Sequence, residues 1–99
     1  MTESQVDEQT FLNRCLPVNN RLGLHARVAA KIAQTVKCYH CTVVLEKDGH
    51  SAEGDSVLAL LTLDAPQGSQ VTIQASGPQA IEALNALEEL FEQRFGEDN

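Results

Sequence analysis

The residues best suited to chemistry in this chain lie in one short stretch, Gly23-Leu24-His25-Ala26-Arg27. A neutral imidazole nitrogen accepts a phosphoryl group, and the bond it forms stays reactive enough for the group to be passed on. If a helix begins after His25, the N–H groups of Ala26 and Arg27 and the positive end of the helix dipole face a bound anion. The Arg27 side chain adds a charge-assisted donor, and Gly23 leaves room for backbone near the ring. Our first hypothesis is a phosphoryl-acceptor histidine, although a histidine before a helix is more often a plain N-terminal residue.

The residues after this stretch predict the helix that the hypothesis needs. Apolar residues recur at the i, i+3, i+4, i+7 spacing of one helix face, at Ala29, Ile32, Ala33 and Val36. The positions between them carry polar and basic side chains such as Lys31 and Gln34. We therefore expect one amphipathic helix from Ala26 to Lys37, with His25 at its N-cap.

Alternation, β-branched residues and turn residues predict the other elements. Leu12, Leu16 and Val18 share one face of a first strand, interrupted by Arg14, and Pro17 puts this strand at a sheet edge because proline cannot donate to a ladder. The following elements are a strand over Cys41 to Glu46, a hairpin turn at Lys47-Asp48-Gly49 and a strand over His50 to Glu53. The last three are a helix over Ser56 to Leu63, a strand over Gln70 to Ser76 with Val71, Ile73 and Ala75 inward, and a helix opened by Gly77-Pro78, with Pro78 at its first position, and ended by Gly96. The buried stripe of this last helix is expected at Ala80, Ala83, Leu84, Leu87, Phe91 and Phe95.

The order of elements is therefore βαββαβα. Short connections and one-sided strands favour an α+β fold, an open-faced β-sandwich whose four-stranded antiparallel sheet carries three helices on one face. A chain of 99 residues makes one domain, which we place at 11–96. An acidic tail, 1–10, is expected to be disordered, and 97–99 form a short acidic tail.

Composition restricts the partners and the compartment. The net charge is −7 and only seven Lys and Arg are present, scattered along the chain, which argues against nucleic-acid binding. No apolar run approaches the length of a membrane span, and Met1 to Thr10 is acidic where a signal peptide is basic and then apolar. We expect a cytoplasmic monomer whose partners are proteins or small molecules.

Three cysteines give no disulfide framework, so reduced thiols are the default interpretation. Cys38 and Cys41 form one CxxC pair, and a zinc site would need two more ligands, such as His40 and His50. Nothing in the sequence places these four residues together. We therefore expect no metal and no cofactor.

The second predicted helix is apolar on nearly all sides, with Val57, Leu58, Leu60, Leu61 and Leu63. A two-turn helix has only one face to bury, so some of these leucines are exposed unless a partner covers them. Asp55 or Ser56 is expected to cap its N-terminus.

The stretch from Asn20 to Arg27 resembles the active-site loop of the histidine-containing phosphocarrier proteins of the bacterial phosphoenolpyruvate-dependent phosphotransferase system. The resemblance runs almost without gaps from Leu12 to Phe95, and Ser56 falls at the family's interval after the histidine. Three segments are most similar to the carrier of the nitrogen-related branch of the family: Asp55 to Asp64, Ser76 to Gln79 and the ending Phe95-Gly96-Glu97-Asp98. That branch has a regulatory role.

This resemblance implies the open-faced β-sandwich and a set of roles. His25 would accept a phosphoryl group on Nδ1 from an enzyme I type protein and pass it to an enzyme IIA domain, with Arg27 steadying the phosphate. The chain would thus be a carrier in a relay and not an enzyme. A docking patch for both partners is implied at Ala30, Val57, Leu58 and Leu61.

Three positions qualify the resemblance. The family usually has proline where this chain has Val28, which makes the first turn freer and puts the transfer rate in question. Cys38 stands where the family tends to have a glycine ending the first helix, and a left-handed conformation there would be strained. The aligned serine is a regulatory phosphorylation site in some members, with a serine kinase as a further partner. For Ser56, a plain helix cap is the favoured interpretation.

Two other classes of function stay open. One is a regulatory binding module that keeps the fold but does not transfer phosphate, which the loss of proline at Val28 would favour. The other is a metal-binding domain using Cys38, Cys41, His40 and His50.

Overall fold

The elements follow the predicted order, in a computed structural model that describes residues 11–97. The predicted tail at 1–10 and the last two residues lie outside the described residues. The strands are β1 Leu12–Pro17, β2 Thr42–Lys47, β3 His50–Glu53 and β4 Gln70–Ser76. The helices are α1 Ala26–Lys37, α2 Val57–Leu61 and α3 Ala80–Glu92, and one 3₁₀ turn follows at Arg94–Gly96. None of the helices between residues 11 and 97 is long and apolar enough to cross a membrane.

The four strands form one antiparallel sheet in the order β1-β4-β2-β3. β1 lies at an edge, as its proline requires, with Pro17 opposite Gln70. The β2–β3 hairpin turns at Asp48 and Gly49, which both have positive φ, as a two-residue hairpin loop matched to the twist of the strands needs. The predicted antiparallel α+β fold is confirmed.

The core lies between the sheet and the helices. Strand residues with one parity are buried, as the alternation predicts, and include Leu16, Val43, Leu45, Ala52, Val71, Ile73 and Ala75. The α1 stripe of Ala29, Ile32, Ala33 and Val36 is buried as well, together with Val28. α1 begins and ends at the predicted residues because its apolar spacing is regular over its whole length.

Arg14, which interrupts the apolar pattern of β1, has a structural role. Its Nη1 donates to Asn85 Oδ1 and Glu88 Oε1 of α3, each at 2.8 Å. The side chain therefore ties the edge strand to the last helix, which explains a charged residue at a position that shares the inward parity of Leu16.

The helices α2 and α3 differ from the prediction at their ends. α2 covers only Val57–Leu61, and the chain then leaves the helix at Thr62 and Leu63. α3 begins at Ala80, so the prediction that Pro78 occupies its first position is wrong. Gly77 has a φ of 113°, which makes a turn there, and the Gln79 N–H donates to His40 O instead of entering the helix.

The C-terminal end of α3 was also predicted too far along the chain. The helix ends at Glu92, and Arg94 and Phe95 adopt left-handed φ values of 55° and 57°. This turn directs the Phe95 ring into the core, with its centroid 4.8 Å from that of Phe91. Phe95 is therefore buried as predicted, but through a turn and not as part of the helical stripe.

Candidate functional site

His25 is the N-cap residue of α1. Its backbone is extended, with φ −90° and ψ −177°, and its carbonyl accepts the Ala29 N–H at 2.8 Å. The ring does not bond to any backbone N–H of the first turn. The N–H groups at the start of a helix have no partner within the helix, so those of Ala26 and Arg27 stay available to an anion beside the ring.

The loop before the helix is built on Gly23. Its φ of 72° is left-handed, and a Cβ there would lie 2.5 Å from Ala65 O. Its carbonyl accepts from the Asn20 side chain at 2.8 Å and from the His25 N–H at 3.0 Å, while the Leu24 N–H donates to Ala65 O. The backbone that needs the glycine is thus Ala65-Pro66, and not, as we expected from the sequence, backbone next to the His25 ring.

The side chain that contacts the imidazole is Glu97. Glu97 Oε2 lies 2.5 Å from His25 Nε2, and Glu97 Oε1 accepts from Asn20 Nδ2 at 2.8 Å. The His25 side chain is 26% exposed and that of Glu97 is 13% exposed. The sequence predicts a short tail over 97–99, whereas the structure brings Glu97 into the site.

The electrostatics of the site favour an ionised Glu97. The hydrogen bond from Asn20 lowers the pKa of the Glu97 carboxyl below its usual value, and the hydrogen bond and charge of His25 act in the same direction. The charge of Arg27 contributes as well, which places this exposed guanidinium within electrostatic range of the carboxylate. Partial desolvation opposes these effects but does not reverse the direction of the pKa shift.

The residues expected to dock partners lie on two helices that contact each other, α1 and α2. Leu58 is 79% exposed and Leu61 is 37% exposed, while Val57 and Ala30 are half-buried. Leu60 and Leu63 of the same apolar segment are buried. We call Ala30, Val57, Leu58 and Leu61 the apolar patch.

Ser56 caps α2. Its Oγ accepts the Ala59 N–H at 3.1 Å, so the hydroxyl has a structural role as predicted. Val28 is fully buried, and α1 begins at Ala26, as predicted from the sequence. Valine in place of the family's proline therefore does not shift the start of the helix. Cys38 has an ordinary right-handed conformation, φ −78° and ψ −9°, and carries no left-handed strain.

The four residues considered for zinc are not assembled. Between residues 11 and 97, no group of three or more His, Cys, Asp or Glu side chains is arranged to hold a metal ion. Burial, assisted by the Glu82 carboxylate, raises the pKa of the Cys41 thiol, which favours the protonated form over a metal-binding thiolate. Cys38 and Cys15 are exposed free thiols.

Asn20 and Glu97 are the site residues that sequence reasoning missed. Asn20 lies inside the loop motif, but its buried position depends on the folded loop. Glu97 is 72 residues from His25 in the chain and has no local pattern around it. The left-handed turn after α3 brings its carboxylate back to the ring.

Comparisons with known proteins agree with this geometry. The family model described as the PTS HPr component phosphorylation site matches residues 12–93. The phosphocarrier protein NPr of Klebsiella oxytoca is 43% identical over 88 residues, covering 88% of this chain and 98% of that protein. The NPr of Proteus mirabilis is 45% identical over 86 residues, covering 86% and 96%.

Solved structures of HPr proteins share the fold of this chain. The crystal structure of HPr-C-His from Thermoanaerobacter tengcongensis superposes with a TM-score of 0.85 at 33% identity, covering 89% of this chain and 99% of that one. A family match over most of the chain, relatives above 40% identity and a shared fold agree with a partly exposed histidine at a helix N-terminus. The chain therefore belongs to the HPr family of phosphotransferase-system phosphocarriers, whose members carry phosphoryl groups and are not enzymes.

Proposed function

We propose that His25 of this phosphocarrier accepts a phosphoryl group on Nδ1 from an enzyme I type protein and passes it to an enzyme IIA domain. The observation that carries the proposal is the position of the ring. It is partly exposed at the N-cap of α1, with Nε2 bonded to Glu97 and no hydrogen-bond partner for Nδ1 within residues 11–97. Nδ1 is thus the ring nitrogen free to act as nucleophile.

The transfer needs little from the protein beyond position and charge. The bond between phosphorus and the donor atom breaks, its electron pair stays on the donor, and the Nδ1 lone pair forms the new P–N bond. The N–H groups of Ala26 and Arg27 and the Arg27 guanidinium then meet the added negative charge. The next acceptor repeats the exchange, and Nδ1 recovers its lone pair.

The apolar patch is the docking surface in this proposal. Leu58 is too exposed for a core residue, and exposed leucines on a helix that packs against α1 favour a protein partner over a small molecule. The same surface has to serve donor and acceptor in turn, because both must reach the one histidine.

We further propose that the chain works in the cytoplasm, in the nitrogen-related branch of the system. The NPr names of its relatives from Klebsiella oxytoca and Proteus mirabilis support this branch. Ser56 acts as the cap of α2 in this account, and no kinase is required.

Labelling with radioactive phosphoenolpyruvate and enzyme I tests the proposal. The protein should take up one acid-labile phosphate, and His25→Ala should take up none. His40→Ala and His50→Ala are matched controls, because both histidines are exposed and lie outside the site. A His25→Ala protein that still takes up label would exclude this residue, and a wild-type protein that binds enzyme I without labelling would favour a regulatory binding module.

A further inference from the structure

The Glu97 carboxylate bridges two residues of the active-site loop. One oxygen accepts from Asn20 Nδ2 and the other lies against His25 Nε2, at 2.8 and 2.5 Å. Both partners belong to the segment before α1, whereas Glu97 comes after the last helix. The contact therefore joins the segment after α3 to the loop that carries His25.

Each end of this bridge is fixed by further contacts. Asn20 is fully buried, and its Nδ2 also donates to Gly23 O at 2.8 Å. On the other side, Phe95 is fully buried and its carbonyl accepts from Lys31 Nζ of α1. The segment that carries Glu97 is thus anchored within two residues of the carboxylate, so the side chain loses little freedom by meeting the ring.

The charge of Glu97 decides which ring nitrogen carries the hydrogen. An ionised carboxylate only accepts hydrogen bonds, so His25 Nε2 must be the donor in this contact. The lowered pKa of Glu97 keeps it ionised at neutral pH. In the neutral imidazole, hydrogen on Nε2 leaves Nδ1 with its lone pair.

We propose that Glu97 is a positioning residue for His25, holding the ring in the tautomer with hydrogen on Nε2, and that Asn20 orients Glu97 for this task. The inference rests on the proposed function, since the unprotonated Nδ1 matters because it takes the phosphoryl group. A carboxylate that orients an imidazole through its second nitrogen is a general device in histidine chemistry.

Glu97→Gln gives the sharpest test because it keeps the shape of the side chain. Asn20 Nδ2 still requires an acceptor, so the glutamine oxygen stays with Asn20 and its NH₂ group faces His25 Nε2. A donor at that position favours hydrogen on Nδ1, which removes the nucleophile. Phosphorylation by phosphoenolpyruvate and enzyme I should slow by about 10- to 100-fold.

Nitrogen NMR of the imidazole reads the tautomer directly, without any transfer reaction. The wild-type spectrum should show hydrogen on Nε2, and Glu97→Gln should shift the neutral ring towards hydrogen on Nδ1. Glu97→Ala leaves neither an acceptor nor a donor beside Nε2, so it should give a mixture of tautomers and a smaller loss of rate than Glu97→Gln. Glu92→Gln, at an exposed position of α3, removes the same charge and should match the wild type in both measurements.

Two results would overturn the inference. One is a wild-type ring with its hydrogen on Nδ1, which needs no variant and so does not depend on any variant folding. The other is a folded Glu97→Gln protein with the wild-type tautomer and phosphorylation rate. If the wild type itself takes up no phosphate, the proposed function fails, while the NMR result still decides whether Glu97 sets the tautomer.

Discussion

Asn20, Gly23 and Glu97 together hold the His25 ring at the start of α1. Asn20 joins the other two, because its Nδ2 donates both to Gly23 O and to Glu97 Oε1. Gly23 in turn lets the loop pass against the backbone of Ala65 and Pro66. His25 is thus positioned by groups that take no chemical part in the proposed transfer.

Gly23→Ala should destabilise the protein more than an alanine at another left-handed glycine. The new Cβ would meet Ala65 O at 2.5 Å, in addition to the cost of a left-handed alanine, which is about 1–2 kcal/mol. Gly49→Ala is the matched control, because Gly49 has a φ of 85° but nothing within 4 Å of its Cβ position. Urea unfolding should rank the two losses in this order, and equal losses would contradict a steric role for Gly23.

At the residue scale, the sequence was sufficient where the signal was local. The start of α1 directly after His25 was predicted correctly, because a helix start is encoded in the few residues around it. Glu97 was not predicted to lie in the site. Its contact with His25 depends on the left-handed conformation of Arg94 and Phe95, and no turn motif in the sequence indicates that conformation. Proximity between distant residues is a property of the folded chain, and spacing alone does not predict it.

Among the elements, α2 carries most of the proposed docking surface. It is only five residues long, from Val57 to Leu61, and buries Leu60 while exposing Leu58. Its apolar composition therefore serves two purposes, one face for the core and one for the apolar patch.

Leu58→Glu should weaken recognition without unfolding the protein. The side chain is 79% exposed, so the free energy of unfolding should change by no more than about 0.5 kcal/mol. The KM of enzyme I for the protein should rise about tenfold if Leu58 is an interface anchor. Ile81→Glu on α3, at a residue 54% exposed, should leave KM unchanged. Equal effects of the two variants would argue against the apolar patch as the docking surface.

Ser56→Ala should lower the free energy of unfolding by about 1 kcal/mol, because it removes the acceptor for the Ala59 N–H. Ser51→Ala, at an exposed β3 position, is the control and should have little effect. Phosphorylation of His25 should proceed normally in both proteins. A phosphorylation defect confined to Ser56→Ala would show that the hydroxyl does more than cap α2.

The element boundaries show which local signals are reliable. α1 and β4 match their predicted limits because regular periodicity runs from end to end of each. α3 does not, since Gly77 makes a turn before its first residue, and Arg94 and Phe95 make a second turn where the apolar spacing continues. The backbone conformation of single residues determines both ends of α3, and hydrophobic spacing does not predict that conformation.

For the molecule as a whole, the topology brings the C-terminal end of the described chain to the loop before α1. The antiparallel sheet was predictable because short connections leave few alternatives. The return of the C-terminal turn, residues 94–97, to the start of α1 was not. This closure makes the C-terminal segment part of the site.

The contribution of Glu97 to stability should depend on pH. Its pKa is lowered in the folded state, mainly by Asn20, so the carboxylate stabilises the fold fully above its usual pKa of 4.5. This contribution should be lost as pH falls below 4.5 and through the lower folded value. The difference in unfolding free energy between wild type and Glu97→Gln, measured by urea at a series of pH values, should shrink over that window. A difference that grows there would contradict the contact.

The central claim is that His25 carries the phosphoryl group, and phosphorus NMR of the protein incubated with phosphoenolpyruvate and enzyme I tests it most directly. Phosphohistidine substituted on Nδ1, phosphohistidine substituted on Nε2 and phosphoserine give different signals. We predict a single Nδ1-phosphohistidine signal that is absent from His25→Ala. A phosphoserine signal in place of phosphohistidine, or a phosphohistidine signal that persists in His25→Ala, would contradict the claim.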